Sequence, residues 1–411
     1  MNYIALFKHN RKILLFGMLL TLFSSFGQTF VLSLYIPWFL ETFDLTRSFY
    51  SGLYAVATLG SAATLIFAGK RIDTIPLPRF TAFVIGGIVM ACVLAGIAVN
   101  VVMLFFAIYM LRLFGQGLLS HTSTTTVSRF FHRARGKALS VAFLGFPIGE
   151  GLFPVMIVST ILWIGWRYTL LASAGIILLV LVPLTIYLMR GFLNKPVVEG
   201  DEPLATGSKQ PAKEEPVWLQ KQIIRSPYFF LYAPTVFMVG FMMTSLFFYQ
   251  TFIADFKGWT VEWMAGTILA YAISSFLTSI AAGPLIDKYS AARLFPFTLF
   301  PMAIGLLVLI SSSSPAITPV YWLLVGITAG LNSPLVSALY AETYGTRSLG
   351  AVRSIFTFVM VVSTALGPVV YSFFLESGFT FNHIHWGVIG VILLNALFVR
   401  LYGRKINKLP A

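Results

Sequence analysis

A chain of 411 residues that is 58% hydrophobic and 10% charged, with a mean hydropathy of +0.86, carries more apolar side chain than a soluble fold can enclose, so lipid must solvate most of it. The formal net charge of +14 comes from Lys and Arg in short runs between apolar stretches rather than on one basic face, which argues against nucleic acid as a partner. A single cysteine, Cys92, excludes an intrachain disulfide and a cysteine-rich metal site.

Lys8, Arg11 and Lys12 precede an apolar run that continues to about Leu40 without a small-residue cleavage site, so it reads as a retained first helix rather than a signal peptide. Crossing a ~30 Å hydrocarbon core takes roughly 20 helical residues. Segments of that kind recur at 13–40, 51–69, 80–99, 101–128, 137–163 and 168–189, and again at 228–253, 263–285, 294–312, 318–340, 351–375 and 386–402. Between them, 190–226 holds Glu199, Asp201, Glu202, Lys209, Lys213, Glu214 and Glu215 with several Pro and Gly, a composition that reads as a linker. The expected fold is an all-α membrane protein of about twelve transmembrane helices in two pseudo-symmetric six-helix bundles, 1–189 and 227–411, joined by a cytoplasmic linker, 190–226.

Basic residues near helix ends stay on the cytoplasmic side. With both termini inside, the outer loops hold only Arg47, Arg167 and Lys257, while the inner segments take Lys70, Arg71, Arg79, Arg129, Arg133, Arg135, Lys137, Lys288, Arg293, Arg347 and Arg353. A multi-pass protein of the cell inner membrane, with cytoplasmic termini, is expected.

The halves echo each other. Gly69-Lys-Arg-Ile-Asp73, with Arg79 further on, follows the second helix, and Gly283-Pro-Leu-Ile-Asp287-Lys288, with Arg293 further on, follows the eighth. Glycine lets a helix end approach its neighbour, the carboxylate suits a helix N-terminus, and arginine suits a helix C-terminus, so each copy reads as a gate latch. Gly-x-x-x-Asp followed by basic residues, in both halves, resembles the signature loop of the major facilitator superfamily, although Ile75-Pro76-Leu77-Pro78 replaces the usual Gly and basic residues in the first copy. Arg112-Leu-Phe-Gly115-Gln-Gly117 is similar to the family's Arg-x-x-Gly-x-Gly segment. Phe130-Phe131-His-Arg133-Ala-Arg135-Gly136-Lys137, Gly145-Phe-Pro147-Ile-Gly149-Glu150-Gly151 and Glu342-Thr-Tyr344-Gly345-Thr-Arg347 resemble bacterial carriers related to monocarboxylate transporters. Ala270 to Gly283 lacks the charges those carriers place in their eighth helix. The resemblance implies a secondary active transporter working by alternating access on a small, anionic organic solute.

Charge within a bilayer is costly, so an ionisable residue there is a functional candidate by default. Arg112 lies about 12 residues after Asn100 and Glu150 about 13 before Trp163; both therefore sit roughly 18–20 Å from the same end. Pairing of the two is the functional expectation, with Arg112 gripping a solute carboxylate and the abandoned Glu150 taking up a proton, which gives symport. The structural alternative ties Arg112 to carbonyls of the first helix. Gln116 and Ser120 share its helix face; His121 is a candidate proton relay or, more simply, an interhelical hydrogen bond. Gln28, Gln250, Asn332 and Tyr271 are candidates for orienting a bound solute, or packing groups.

His132, His383 and His385 fall in predicted loops, and neither a metal-binding nor a nucleophile–base constellation is evident, so an enzyme is not expected. No Walker-type phosphate loop is present. The expected partners are a small-molecule solute, protons and membrane lipid, with no cofactor, no metal and no nucleic acid, in a monomer. A proton-driven drug or metabolite exporter, and a non-transporting membrane sensor, are the rival readings.

Overall fold

The computed structural model describes residues 3–131, 135–193, 218–345 and 348–406. His132, Arg133, Arg347 and most of the expected linker lie outside them. The described residues form helices joined by short turns. They group into two units, Met1–Gly207 and Ser208–Ala411.

In the first unit, α1 is broken, running Leu6–Gly27 and then Thr29–Phe43 with a 41° bend. α2 spans Arg47–Asp73, α3 Leu77–Gly96 and α4 Val101–Phe130. The next helical run, Gly136–Arg190, has 55 residues and would be about 80 Å long if straight, far beyond one crossing. It breaks at Gly165, whose backbone (φ 80°, ψ 160°) is essentially open only to glycine. The run also returns to where it started. Ala142 packs beside Gly17 and Lys12 beside Gly191, both at the N-terminal end of α1, whereas Arg167 reaches the far end of α3. Two crossings result, α5 (136–164) and α6 (166–190).

In the second unit, α7 spans Pro227–Phe248 and continues past Tyr249 as Gln250–Lys257. It is followed by α8 (Val261–Tyr289), α9 (Ala291–Ser311), α10 (Pro315–Tyr344), α11 (Leu349–Glu376) and α12 (Phe381–Tyr402). Each unit therefore makes six crossings among the described residues. α12 begins five residues before the expected 386, which brings His383 and His385 into the helix instead of a loop.

Lipid as solvent shows in the exposed side chains. Trp163 is 85% exposed, Leu179 79%, Phe67 72% and Leu394 68%, an arrangement that water would disfavour by about 25 cal/mol per Å² of apolar surface. Residues 218–226, the last part of the expected linker, belong to the second unit. Ile223 of the short helix Gln220–Arg225 is wholly buried, the Trp218 amide donates to Ser348 Oγ (2.8 Å), and the Trp218 ring meets Tyr344 edge-on.

Small residues set the helix spacing. A methyl on Gly27 would lie 2.1 Å from the Leu111 carbonyl oxygen, so α1 and α4 touch backbone to backbone at this point. Gly149 of α5 presses on Ser25 of α1, and Gly367 of α11 presses likewise on Ser245 of α7.

Candidate functional site

The break in α1 organises the first unit's polar interior. Gln28 has extended backbone (φ −81°, ψ 153°) between the two halves of the helix, which frees the carbonyls of the preceding turn from the regular ladder. One of them is recruited. Arg112, 4% exposed, donates from Nη1 to Gly27 O (3.3 Å) and to Thr29 Oγ1 (3.3 Å). Its guanidinium also lies 5.2 Å from the centroid of the Tyr54 ring, a cation–π distance, while the Tyr54 hydroxyl sits 2.7 Å from Thr29 Oγ1. Arg112 Nε is buried and has no partner among the described residues. The guanidinium is held by one edge and leaves a donor unused.

The backbone carrying Arg112 is unusual too. Leu111–Leu119 of α4 winds as a π-helix, a rare form that is frequent at functional sites. Gln116, half-buried, and Ser120, whose buried Oγ is unpartnered, lie further along on the inner side.

The expected ion pair with Glu150 is not made. Glu150 forms no hydrogen bond or ion pair among the described residues. The reason is α1 itself: its Ser24–Gly27 turn meets α4 through Gly27 and α5 through Gly149 on Ser25, so the guanidinium finds a carbonyl before it finds a carboxylate. Glu150 is half-buried and falls in line with Pro154, Ile157 and Ile161, the stripe that α5 buries. Phe153, three residues on, packs its ring 4.8 Å from Phe26. The carboxylate thus stands one residue from the α1–α5 contact, beside the break but unpaired.

Towards the end predicted to be cytoplasmic, His121 Nε2 lies 3.1 Å from the carbonyl oxygen of buried Gly69, tying α4 to α2. Asp73 is bonded by Arg129, which also donates to Ile72 O, while Arg79 is exposed and takes no part. The second copy differs. Gly283, Asp287 and Arg293 are all exposed, and Asp287 and Arg293 make no ion pair among the described residues. The carboxylate that reaches a helix N-terminus here is Glu342, which accepts the amides of Ala291 (2.9 Å) and Ala292 (3.1 Å) at the start of α9.

In the second unit, Gln250 is wholly buried just after the α7 break, and Tyr271 packs edge-on to Phe247 (5.1 Å) and Trp322 (5.9 Å). Asn332 keeps a buried, unpartnered Oδ1 halfway along α10. Sequence reasoning missed Thr29, Tyr54 and Ser25, small or neutral residues in apolar helices that acquire meaning only once α1 is seen to break beside them.

The Major Facilitator Superfamily model covers residues 17–273 and 260–410 of this chain. The chain belongs to the Major Facilitator Superfamily. Membership in this superfamily makes it a multi-pass membrane protein. The MFS transporter asaE of Aspergillus flavus is 24% identical over 289 residues, 66% of this chain; the match spans 58% of the length of that relative. Two solved structures of a bacterial homologue of the human lysosomal transporter Spinster share the fold. The inward-facing, occupied form has a TM-score of 0.70 at 14% identity, covering 96% of this chain and 97% of that one. The inward-facing, unoccupied form scores 0.64 at 12% identity, covering 95% of each.

Proposed function

We propose that this superfamily member carries a small anionic organic solute across the membrane together with protons, in symport, using the α1 break of the first unit as its anion contact. The observation that supports it most is the half-engaged Arg112: buried, planar, held on one edge, and with Nε–H unspent. A carboxylate matches the fork geometry of guanidinium. Gln28 and Gln116 flank the break as neutral groups able to orient the rest of the solute, and Gln250, Asn332 and Tyr271 are proposed as solute-orienting groups of the second unit. Glu150, with no cation paired to it among the described residues, is the proton carrier in this scheme. An incoming anion near a charged carboxylate is repelled, and protonating Glu150 removes the repulsion, so anion and proton bind together. His121, engaged with Gly69 O, is a secondary relay, and the helix-end segments Gly69–Asp73 and Gly283–Asp287, with Arg79 and Arg293, are proposed to act as latches. The membrane is proposed to be the inner membrane, with both termini cytoplasmic, and the working unit a monomer.

The test is flux in proteoliposomes loaded with a panel of labelled carboxylates, amino acids, sugars and organic cations. Acidifying the outside should drive carboxylate accumulation, and Glu150→Gln should abolish accumulation while leaving downhill exchange intact. Accumulation driven by an acidic interior would reverse the coupling to antiport, the exporter reading. A Glu150→Gln protein that still concentrates solute on the gradient would remove this residue from coupling.

A further inference from the structure

The second unit contains a buried polar group that the scheme above does not use. His385, on the second turn of α12, is 1% exposed, and neither of its ring nitrogens has a hydrogen-bond partner among the described residues. A neutral imidazole offers one donor and one acceptor, and leaving both unmet in a buried site is costly. The surroundings are aromatic and hydroxyl-rich. The ring lies 6.1 Å from that of Tyr371 and 6.3 Å from that of Phe381, and these in turn meet Tyr249, the residue at the α7 break, at 5.6 and 5.8 Å. Two of the phenols are spoken for: Tyr249 donates to Pro368 O (2.9 Å) and Tyr371 to Met242 Sδ (3.5 Å). Tyr321 of α10, within electrostatic range of Tyr371, is wholly buried with a bare hydroxyl. Asn382, one turn earlier on the same side of α12 as His385, also keeps Oδ1 buried and bare.

We infer that His385, with Tyr321 and Asn382, forms a hydroxyl-binding subsite beside the α7 break, taking a small group that both donates and accepts a hydrogen bond. An imidazole with both nitrogens available, ringed by aromatic faces, offers one donor and one acceptor, the complement of a hydroxyl. The hydroxyl comes either from water or from a hydroxylated solute; the second source rests on the carrier reading, the first does not.

Three variants of the purified full-length protein separate these cases. His385→Gln keeps a donor and an acceptor, His385→Phe fills the volume without either, and Tyr321→Phe removes only a hydroxyl. If the subsite exists, His385→Phe and Tyr321→Phe alter thermal unfolding by on the order of 2–4 °C relative to wild type while His385→Gln stays near it. A matched pair of short acids, propionate and lactate, differing by one hydroxyl, then identifies the source. Stronger stabilisation by lactate in wild type and His385→Gln, with the difference lost in His385→Phe, assigns the hydroxyl to the solute. Unequal melting of the variants with no discrimination between the acids assigns it to water, and the subsite stands even if no acid binds and the carrier reading fails. Equal melting of all variants together with unchanged discrimination would overturn the subsite and leave His385 as a packed ring.

Discussion

The two units break their first helix beside a Gln-Thr pair, at Gln28 before Thr29 in α1 and at Tyr249 before Gln250-Thr251 in α7, and put different chemistry beside it. In each, a serine just before the break packs under a glycine of the fifth helix of its own unit: Ser25 under Gly149, Ser245 under Gly367. The first unit then surrounds its break with an arginine, a glutamate and two hydroxyls. The second surrounds its own with Tyr249, Tyr371, Phe381 and His385. The repeated architecture therefore fixes where a helix opens, and the side chains around the opening decide which chemistry is done there.

The largest test of that division is Arg112. Hydrogen bonds to charged groups contribute about 1.5–3 kcal/mol each, so Arg112→Ala, which removes both bonds and any carboxylate contact, should lower initial uptake on the order of 100-fold. Arg112→Lys keeps the charge without the fork and should fall between the two. Uptake by Arg112→Ala equal to wild type would place the anion elsewhere.

Next comes a matched pair of glycine substitutions. A methyl on Gly27 would meet Leu111 O at 2.1 Å, and one on Gly367 would meet Ser245 Oγ at 2.5 Å and Phe241 O at 2.6 Å. Both Gly27→Ala and Gly367→Ala should cost roughly 1–3 kcal/mol as overpacking, visible as a lowered melting temperature. Only Gly27→Ala also pushes away the carbonyl that holds Arg112, so it should lose transport in excess of its loss of stability. Equal transport in the two would mean that the bond to Gly27 O is dispensable.

A smaller effect is expected at Tyr54. Tyr54→Phe keeps the ring under the guanidinium but drops the hydroxyl bonded to Thr29, a change of about 1 kcal/mol. Half-saturation for the solute should rise several-fold with maximal rate little altered. The smallest is Asp73→Asn, because Arg129 and Asp73 are 45% and 64% exposed at their side chains and such pairs contribute about 0–1 kcal/mol. Its melting temperature should be within about 1 °C of wild type; a larger fall would show that the contact is part of a wider latch.

Much of the fold was legible in sequence because apolar runs of membrane-spanning length and the distribution of Lys and Arg survive any detail of packing. The breaks were not. Gln28 and Tyr249 sit inside long apolar runs where no Pro marks the bend, so hydropathy passes smoothly across them. Depth could be counted along a helix, which put Arg112 and Glu150 at one level, but depth says nothing about what stands between two helices. That intervening element is α1, and its open carbonyl took the partner expected to be a carboxylate. His385 was missed for a simpler reason: Asn382, His383 and His385 lower the local hydropathy enough to mask the first turn and a half of α12, although the helix buries one of the three.

Gly165 carries a mechanical consequence. With a single non-helical residue between α5 and α6, the joint has no slack, and a sliding motion of one rod is delivered to the other at full amplitude. Rearrangement around Glu150 that shifts α5 along its axis must drag the adjoining end of α6, where Arg167 is anchored to the carbonyls of Gly96 and Ala98. Lengthening that joint by a few flexible residues would uncouple the pair, like loosening a hinge pin, while leaving every side chain near the arginine in place.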